Sequence, residues 1–282
     1  MSYRELWSRL SPLMGEGEAK AVARLVLDVG FGLSMTDILC GKDTQLSADD
    51  QTRLAEIVRR LENREPVQYI LEVAEFGGRR FHVAPGVLIP RPETYELCRW
   101  ISCQGSLNTQ GAQETAILDI GTGSGCIACT LALEMPGTVV TAWDISDRAL
   151  DVARDNSRRL GATVTFSKQN ALAPPVIDDR WLTVIVSNPP YVCRQEAASM
   201  EAHVLEHEPH EALFVPDDDP LLFYRAIADY GRQALRPGGW LFFEINPLYA
   251  DDLQDLLRMM AYHAIETKED QYGKRRMIRA QR

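Results

Sequence analysis

Apolar positions recur at three- and four-residue intervals through the first part of the chain. They run Leu6, Leu10 and Leu13, then Ala21, Val22, Leu25, Val26 and Val29, then Leu54, Ile57, Val58 and Leu61. This spacing gathers each set on one helical face, which predicts a small all-helical domain over residues 1–73. Ser47 before Ala48-Asp49-Asp50 predicts a helix start, with the serine as N-cap and acids in the first turn. From residue 74 to 92 the pattern shortens to two β segments around Gly77-Gly78, within Phe76–Val83, and Pro85, Pro90 and Pro92 stiffen the chain beyond them. A hairpin-like linker is predicted there.

Residues 93–282 alternate. Strands are predicted over Ala116–Ile120, Val139–Asp144, Thr163–Ser167, Leu182–Ser187 and Trp240–Ile245, with helices such as Arg148–Leu160 and Leu221–Leu235 between them. Strands separated by helices imply right-handed βαβ units, an α/β fold and a parallel sheet. Ligands of such sheets bind outside the carboxyl ends of the strands.

Two motifs fall at those ends. Asp119-Ile120-Gly121-Thr122-Gly123-Ser124-Gly125 follows a strand and opens a helix, and its glycines let the backbone turn sharply and approach a ligand. Cys126 stands where a dinucleotide fingerprint requires Gly or Ala, so the spacing favours an adenosyl cofactor with a short cationic tail. Asp144, at the end of the next strand, is placed to accept from both ribose hydroxyls, with Ile145 beside the adenine and Asn170-Ala171 at its edge. The second motif is Asn188-Pro189-Pro190-Tyr191. The prolines fix φ and present carbonyls without N–H groups. The Asn188 and Pro189 carbonyls suit the two hydrogens of one NH2 group, and Tyr191 offers a flat face for a planar amide or base. Asn188 borders the cofactor as well. Orienting the acceptor is most of what such a transfer asks of a protein.

Composition narrows the reading. With 45% hydrophobic and 25% charged residues the chain is of ordinary globular type. It has no apolar run long enough for a membrane span and no signal or transit pattern, so a cytoplasmic enzyme is expected. A net charge of −10 argues against stable nucleic acid binding, which rests on Lys and Arg neutralising phosphates. Cys126 and Cys129 are expected to pack against the sheet as free thiols, since no second ligand pair accompanies them. His203-Val204-Leu205-Glu206-His207 matches an inverted zinc-protease motif, but it lies in an acidic stretch without a third ligand, and no metal is expected. Asp217-Asp218-Asp219 before Pro220 predicts a helix start with Asp219 as N-cap.

The chain resembles the release-factor glutamine methyltransferases along nearly its whole length. The likeness lies in Glu65–Ile70, Phe81–Val83, Val87–Thr94, Asp119–Gly125, Asn188–Tyr191, Glu208-Pro209 with Ala212-Leu213, and Leu235–Gly239. Ile89-Pro90-Arg91-Pro92-Glu93-Thr94 is the most family-specific segment. The resemblance implies a Rossmann-like class I methyltransferase domain with a seven-stranded sheet, preceded by a helical substrate-recognition domain and a β-hairpin linker. It implies S-adenosyl-L-methionine as cofactor. The acceptor would be the glutamine of the Gly-Gly-Gln motif in class-1 peptide-chain release factors, held by Asn188 and Pro189, with Arg91, Pro92, Glu93 and Thr94 bordering the pocket. The Asn-Pro-Pro-Tyr motif is shared with adenine-N6 DNA methyltransferases and ribosomal-protein glutamine methyltransferases, which are the rival readings. A non-catalytic adaptor is a third. Tyr95, Glu72 and Asn246 stand where the family usually carries Glu, Gly and Gly; none is expected to touch the chemistry.

Overall fold

A computed structural model describes residues 1–104, 115–176 and 181–282. The contacts divide it into two units, Met1–Val73 with Glu201–His207, and Ala74–Met200 with Glu208–Arg282.

The first unit contains α1 (Tyr3–Met14), α2 (Glu16–Leu25), α3 (Met35–Leu39), α4 (Ala48–Glu62) and α5 (Val67–Leu71). Ser2 caps α1 in a reciprocal capping box with Glu5, and Ser47 caps α4 by accepting from the Asp50 N–H, as expected. Leu6, Leu10, Val22, Leu54, Ile57, Val58 and Leu61 are buried together. Leu13 and Ala21 lie outside that face; Ala19, Ala23 and Leu27 fill it instead. Beyond Leu25 the helix continues as a wider π turn, Val26–Gly30, which changes the register on which the spacing was read. Glu72 closes α5 in the left-handed region, at φ 56°, a conformation that favours glycine.

From the boundary at Val73 a two-stranded sheet, β1 (Val73–Phe76) and β2 (Arg79–His82), turns at Gly77-Gly78 and opens the second unit. Phe76 and Phe81 are buried in the same apolar cluster as Leu97, Ile127 and Val186, so this hairpin is built into the unit's core. There follow α6 (Pro92–Ser102), β3 (Ala116–Ile120), α7 (Cys126–Glu134), β4 (Val139–Asp144), α8 (Asp147–Leu160), β5 (Val164–Lys168) and β6 (Leu182–Ser187). The remainder is β7 (Val192–Cys193), the first unit's α9 (Ala202–His207), β8 (Phe214–Val215), α10 (Leu222–Ala234), β9 (Leu235–Glu244), α11 (Ala250–Met259), β10 (His263–Glu269) and β11 (Arg275–Gln281). Among the described residues the main sheet has seven strands in the order β10-β11-β9-β6-β3-β4-β5, parallel from β9 to β5. β11 runs antiparallel to both its neighbours. Every residue of β3 and β6 is buried, as parallel strands covered on both faces must be.

Two expectations need correction, and one region lies outside them. Pro92, read as the end of the linker, is the first residue of α6, where its missing N–H costs no helical bond. The β10–β11 hairpin and α11 are not among the elements expected above: β10 is an edge strand with mostly exposed residues, while α11 buries Ala250, Leu253 and Leu257 on one face. Asp219 does not cap α10. That helix starts after Leu221 without a side-chain cap, and Asp219 instead pairs with Arg225 at 2.9 and 3.1 Å. Among the described residues no helix is long and apolar enough to cross a membrane.

Gly125, which precedes α7, has φ +79°, and a Cβ there would lie 3.0 Å from the Ala153 Cβ on α8. Gly125→Ala should therefore lower the unfolding free energy by about 1–3 kcal/mol through strain and overpacking. Denaturant titration checks this, and an unchanged midpoint would refute it.

Candidate active site

A cavity of about 300 Å³ opens at the carboxyl ends of β3, β4 and β6, within the second unit. Its floor is the loop after β3. The N–H groups of Gly121 and Thr122 both donate to the Trp143 carbonyl at 2.9 Å, which folds the loop back onto β4. Cβ atoms at Gly121 and Gly123 would project into open space, so glycine keeps this surface bare, and both residues have positive φ. Ser124 and Thr122 complete this side of the lining.

Asp119 lies beneath the loop and outside the lining, fully buried. Its Oδ2 accepts from the Thr122 hydroxyl at 2.6 Å and from the Ala128 N–H at 3.2 Å, and its Oδ1 has no partner among the described residues. It thereby supplies the side-chain cap that Gly125 cannot give α7. Burial pushes the Asp119 carboxyl up to about 7 against these two hydrogen bonds.

Asp144, Ile145, Asn170 and Ala171 all line the cavity. Asp144 accepts from the Gly123 N–H at 2.8 Å and from the Ser146 N–H at 2.9 Å, which leaves further lone pairs directed by two fixed donors. Burial raises its pKa and these N–H groups oppose the rise. Ile145 is 58% exposed, an apolar face offered to whatever enters. Asn170 spends its side-chain oxygen on the Leu172 N–H, shaping its own turn.

Asn188, Pro189 and Pro190 form the opposite wall with Arg91 and Thr94. The Ser187 hydroxyl donates to the Ile120 carbonyl at 2.6 Å and pins the start of this wall to the end of β3. Asn188 Nδ2 donates to Thr94 Oγ1 at 3.3 Å, and the Thr94 hydroxyl donates to Glu244 Oε2 at 2.6 Å. Tyr191 donates to the other Glu244 oxygen at 3.0 Å. Glu244 is 2% exposed; burial raises its pKa, while the Thr94 and Tyr191 hydrogen bonds and the charge of Arg276 lower it.

The structure gathers Gly121–Ser124, Asp144, Ile145, Asn170, Ala171, Asn188–Pro190, Arg91 and Thr94 around one cavity, but leaves five predicted residues off its lining. Asp119 and Gly125 sit behind the loop, and Pro92 and Glu93 belong to the first turn of α6. Tyr191 is the fifth. Its hydroxyl is committed to Glu244 and its ring packs on the main core cluster, so it is not the flat face expected for an acceptor. The aromatic side chain in the lining is Phe223 of α10.

The sequence reading also missed Glu208, Glu211 and Glu244. Glu208, 4% exposed, accepts from the Ile89 N–H at 3.2 Å and pairs with Arg91, which fixes the Ile89–Arg91 stretch as cavity wall. Its only sequence signal was its place in the Glu208-Pro209 motif. Asn246, expected not to touch the chemistry, donates to the Tyr191 carbonyl at 3.1 Å and to Glu196, so it braces the wall from behind. Cys126 and Cys129 are buried free thiols. His203 contacts Glu201 at 3.2 Å, and among the described residues no three His, Cys, Asp or Glu side chains converge as metal ligands.

Comparison with known proteins adds the relatives of this arrangement. The family description "Methyltransferase small domain" matches residues 106–214, and "PrmC N-terminal domain" matches residues 8–71. A release factor glutamine methyltransferase of Bacteroides thetaiotaomicron is 48% identical over 265 residues, 94% of this chain and 93% of that protein. One of Streptococcus pneumoniae is 34% identical over 281 residues, 99% of this chain and 98% of that protein. Among solved structures, a methyltransferase from Pyrococcus furiosus shares the fold at 17% identity and a TM-score of 0.51, covering 83% of this chain and 98% of that one.

The raised Asp119 carboxyl sets a pH dependence on the cofactor-free protein. An acid whose pKa is higher folded than unfolded holds its proton more tightly in the folded state. Its contribution to stability is complete below the ordinary value of 3.8 and is lost as pH rises through about 7. Asp119→Asn should flatten the fall in unfolding free energy across that window, measured by denaturant titration at a series of pH values. An identical slope in both proteins would refute this.

Proposed function

Because the chain belongs to the release factor glutamine methyltransferase family, we propose that it methylates the glutamine side-chain amide of the Gly-Gly-Gln motif in class-1 peptide-chain release factors, giving N5-methylglutamine. The observation that carries this is the meeting, in one cavity, of the glycine loop and Asp144 with the Asn188-Pro189-Pro190 wall.

The residues fit S-adenosylmethionine. The bare surface of Gly121 and Gly123 admits close approach, Asp144 accepts from ribose hydroxyls, Ile145 offers an apolar face to the adenine, and Asn170-Ala171 borders its edge. The Asp119 carboxyl, raised by burial, lies behind the loop with Oδ1 unpartnered, where a cationic tail would favour its ionised form. Bound there, the cofactor supplies an electrophilic methyl group on a sulfonium. The protein's own part is to orient the acceptor. The Asn188 side-chain oxygen and the Pro189 carbonyl each accept one hydrogen of the glutamine amide, so its nitrogen is turned to the cofactor side. Phe223 and Ile89 supply apolar lining that limits water.

A protein acceptor also agrees with the net charge of −10, which disfavours stable nucleic acid binding. The proposal places the reaction in the cytoplasm, where release factors act, and assigns substrate recognition to residues 1–73.

Purified protein with labelled S-adenosylmethionine should transfer label to a class-1 release factor, and should not when the Gly-Gly-Gln glutamine is changed to alanine. Label on DNA or on a ribosomal protein, with none on the release factor, would overturn the assignment. Asn188→Ala should lower kcat by about 10²-fold or more with little change in cofactor affinity. Asp144→Ala should weaken cofactor binding by roughly 10- to 100-fold, the range of a lost hydrogen bond to a charged group, as calorimetry would read.

A further inference from the structure

We propose that Glu244 and Thr94 are positioning residues that determine which end of the Asn188 carboxamide faces the acceptor. This rests on Asn188 being the clamp for an amide NH2 group. A clamp for two N–H donors must present an oxygen, yet a carboxamide carries an oxygen and an NH2 group of nearly equal size and shape. Turned the wrong way, Asn188 would meet the acceptor donor to donor.

The hydrogen-bond chain behind Asn188 removes that choice. Glu244 accepts at both oxygens, from Tyr191 at Oε1 and from Thr94 at Oε2, so the single hydroxyl proton of Thr94, 2.6 Å from Oε2, points to the glutamate. Thr94 Oγ1 then has only lone pairs left for Asn188, and the group that meets it at 3.3 Å is Nδ2, a donor. The reversed amide would set the Asn188 oxygen against those lone pairs. With Nδ2 engaged, Oδ1 accepts from none of the described residues and is left for the cavity that Asn188 lines.

The chain is also protected from rearrangement. Thr94 and Glu244 are each 2% exposed, so water does not compete for either group. The second oxygen of Glu244 is occupied by the Tyr191 hydroxyl at 3.0 Å, which stops the carboxylate from rotating away from Thr94. Thr94 itself is set by the first turn of α6, where its N–H donates to the Arg91 carbonyl at 3.1 Å. If the only purpose were to join α6 to β9, apolar side chains would serve without the desolvation of a buried carboxylate. What a polar chain adds is direction.

Thr94→Val removes the hydroxyl and nearly keeps the volume. It should lower kcat for release-factor methylation by about 10²-fold, the scale of a misoriented reacting group. The KM for the release factor and the cofactor dissociation constant should stay at wild-type levels. Thr94→Ser, which restores the hydroxyl, should recover most of kcat. A second readout does not depend on the acceptor. In 15N-labelled protein, the Asn188 side-chain NH2 signals, identified by their loss in Asn188→Ala, should lose exchange protection in Thr94→Val and keep it in Thr94→Ser. Thr94→Ala repeats both measurements if the valine variant does not fold. Wild-type kcat in the valine or alanine variant, or Asn188 signals unmoved by either, would overturn the proposal; so would failure of Thr94→Ser to recover kcat. If wild-type protein labels no release factor, the proposed function falls, and the NMR comparison still decides the role of Thr94.

Discussion

Burial of both faces of the central strands is the constraint on which the rest of the molecule depends. β3 and β6 expose no residue, so helices must cover them, and each crossover returns the chain to the same end of the sheet. The carboxyl ends of these strands are consequently where backbone leaves the ladder and polar groups become available. Every part of the cavity is a loop that starts there or a segment packed over it.

Three carboxylates stand at or next to those strand ends: Asp119 on β3, Asp144 on β4 and Glu244 on β9. Burial works against the charge of each, and each is held by donors from a different neighbouring element. Asp119 ties the loop to α7, Asp144 ties the same loop to the start of α8, and Glu244 joins α6 to the wall after β6. A removed partner in such a site leaves an uncompensated polar group, which costs more than the bond itself contributes. The site is thus rigid for the same reason that it is expensive to build.

Much of this was legible in the chain. The apolar strands ending at Ile120, Asp144 and Ser187 are found where periodicity places them, because a buried parallel strand leaves a continuous apolar run. The glycine loop, Asp144 and Asn188-Pro189-Pro190 reach one cavity because each ends or directly follows a strand. Tyr191 departs from the lining because adjacency in a motif says nothing of direction: one residue beyond Pro190 the side chain turns inward to Glu244. The roles of Glu244 and Glu208 were not legible for a related reason. Their partners lie 150 and 117 residues away, and no local pattern reports such pairs. The π turn after Leu25 and the exposed edge strand β10 escaped because both break the period on which the reading depends.

Tyr95 illustrates how a departure from family habit is absorbed. Its ring packs edge-on against Phe76 at 5.6 Å, its hydroxyl donates to Glu134, and Glu134 also holds Arg79. A Cβ on Gly77 would fall 2.4 Å from that ring. In evolutionary terms, positions 77 and 95 are therefore not independent characters. A lineage that acquires tyrosine at 95 forfeits every side chain at 77, whereas one with a smaller residue there keeps only the backbone preference for glycine at φ +58°. A substitution at either position is thus felt in both the hairpin and the helix.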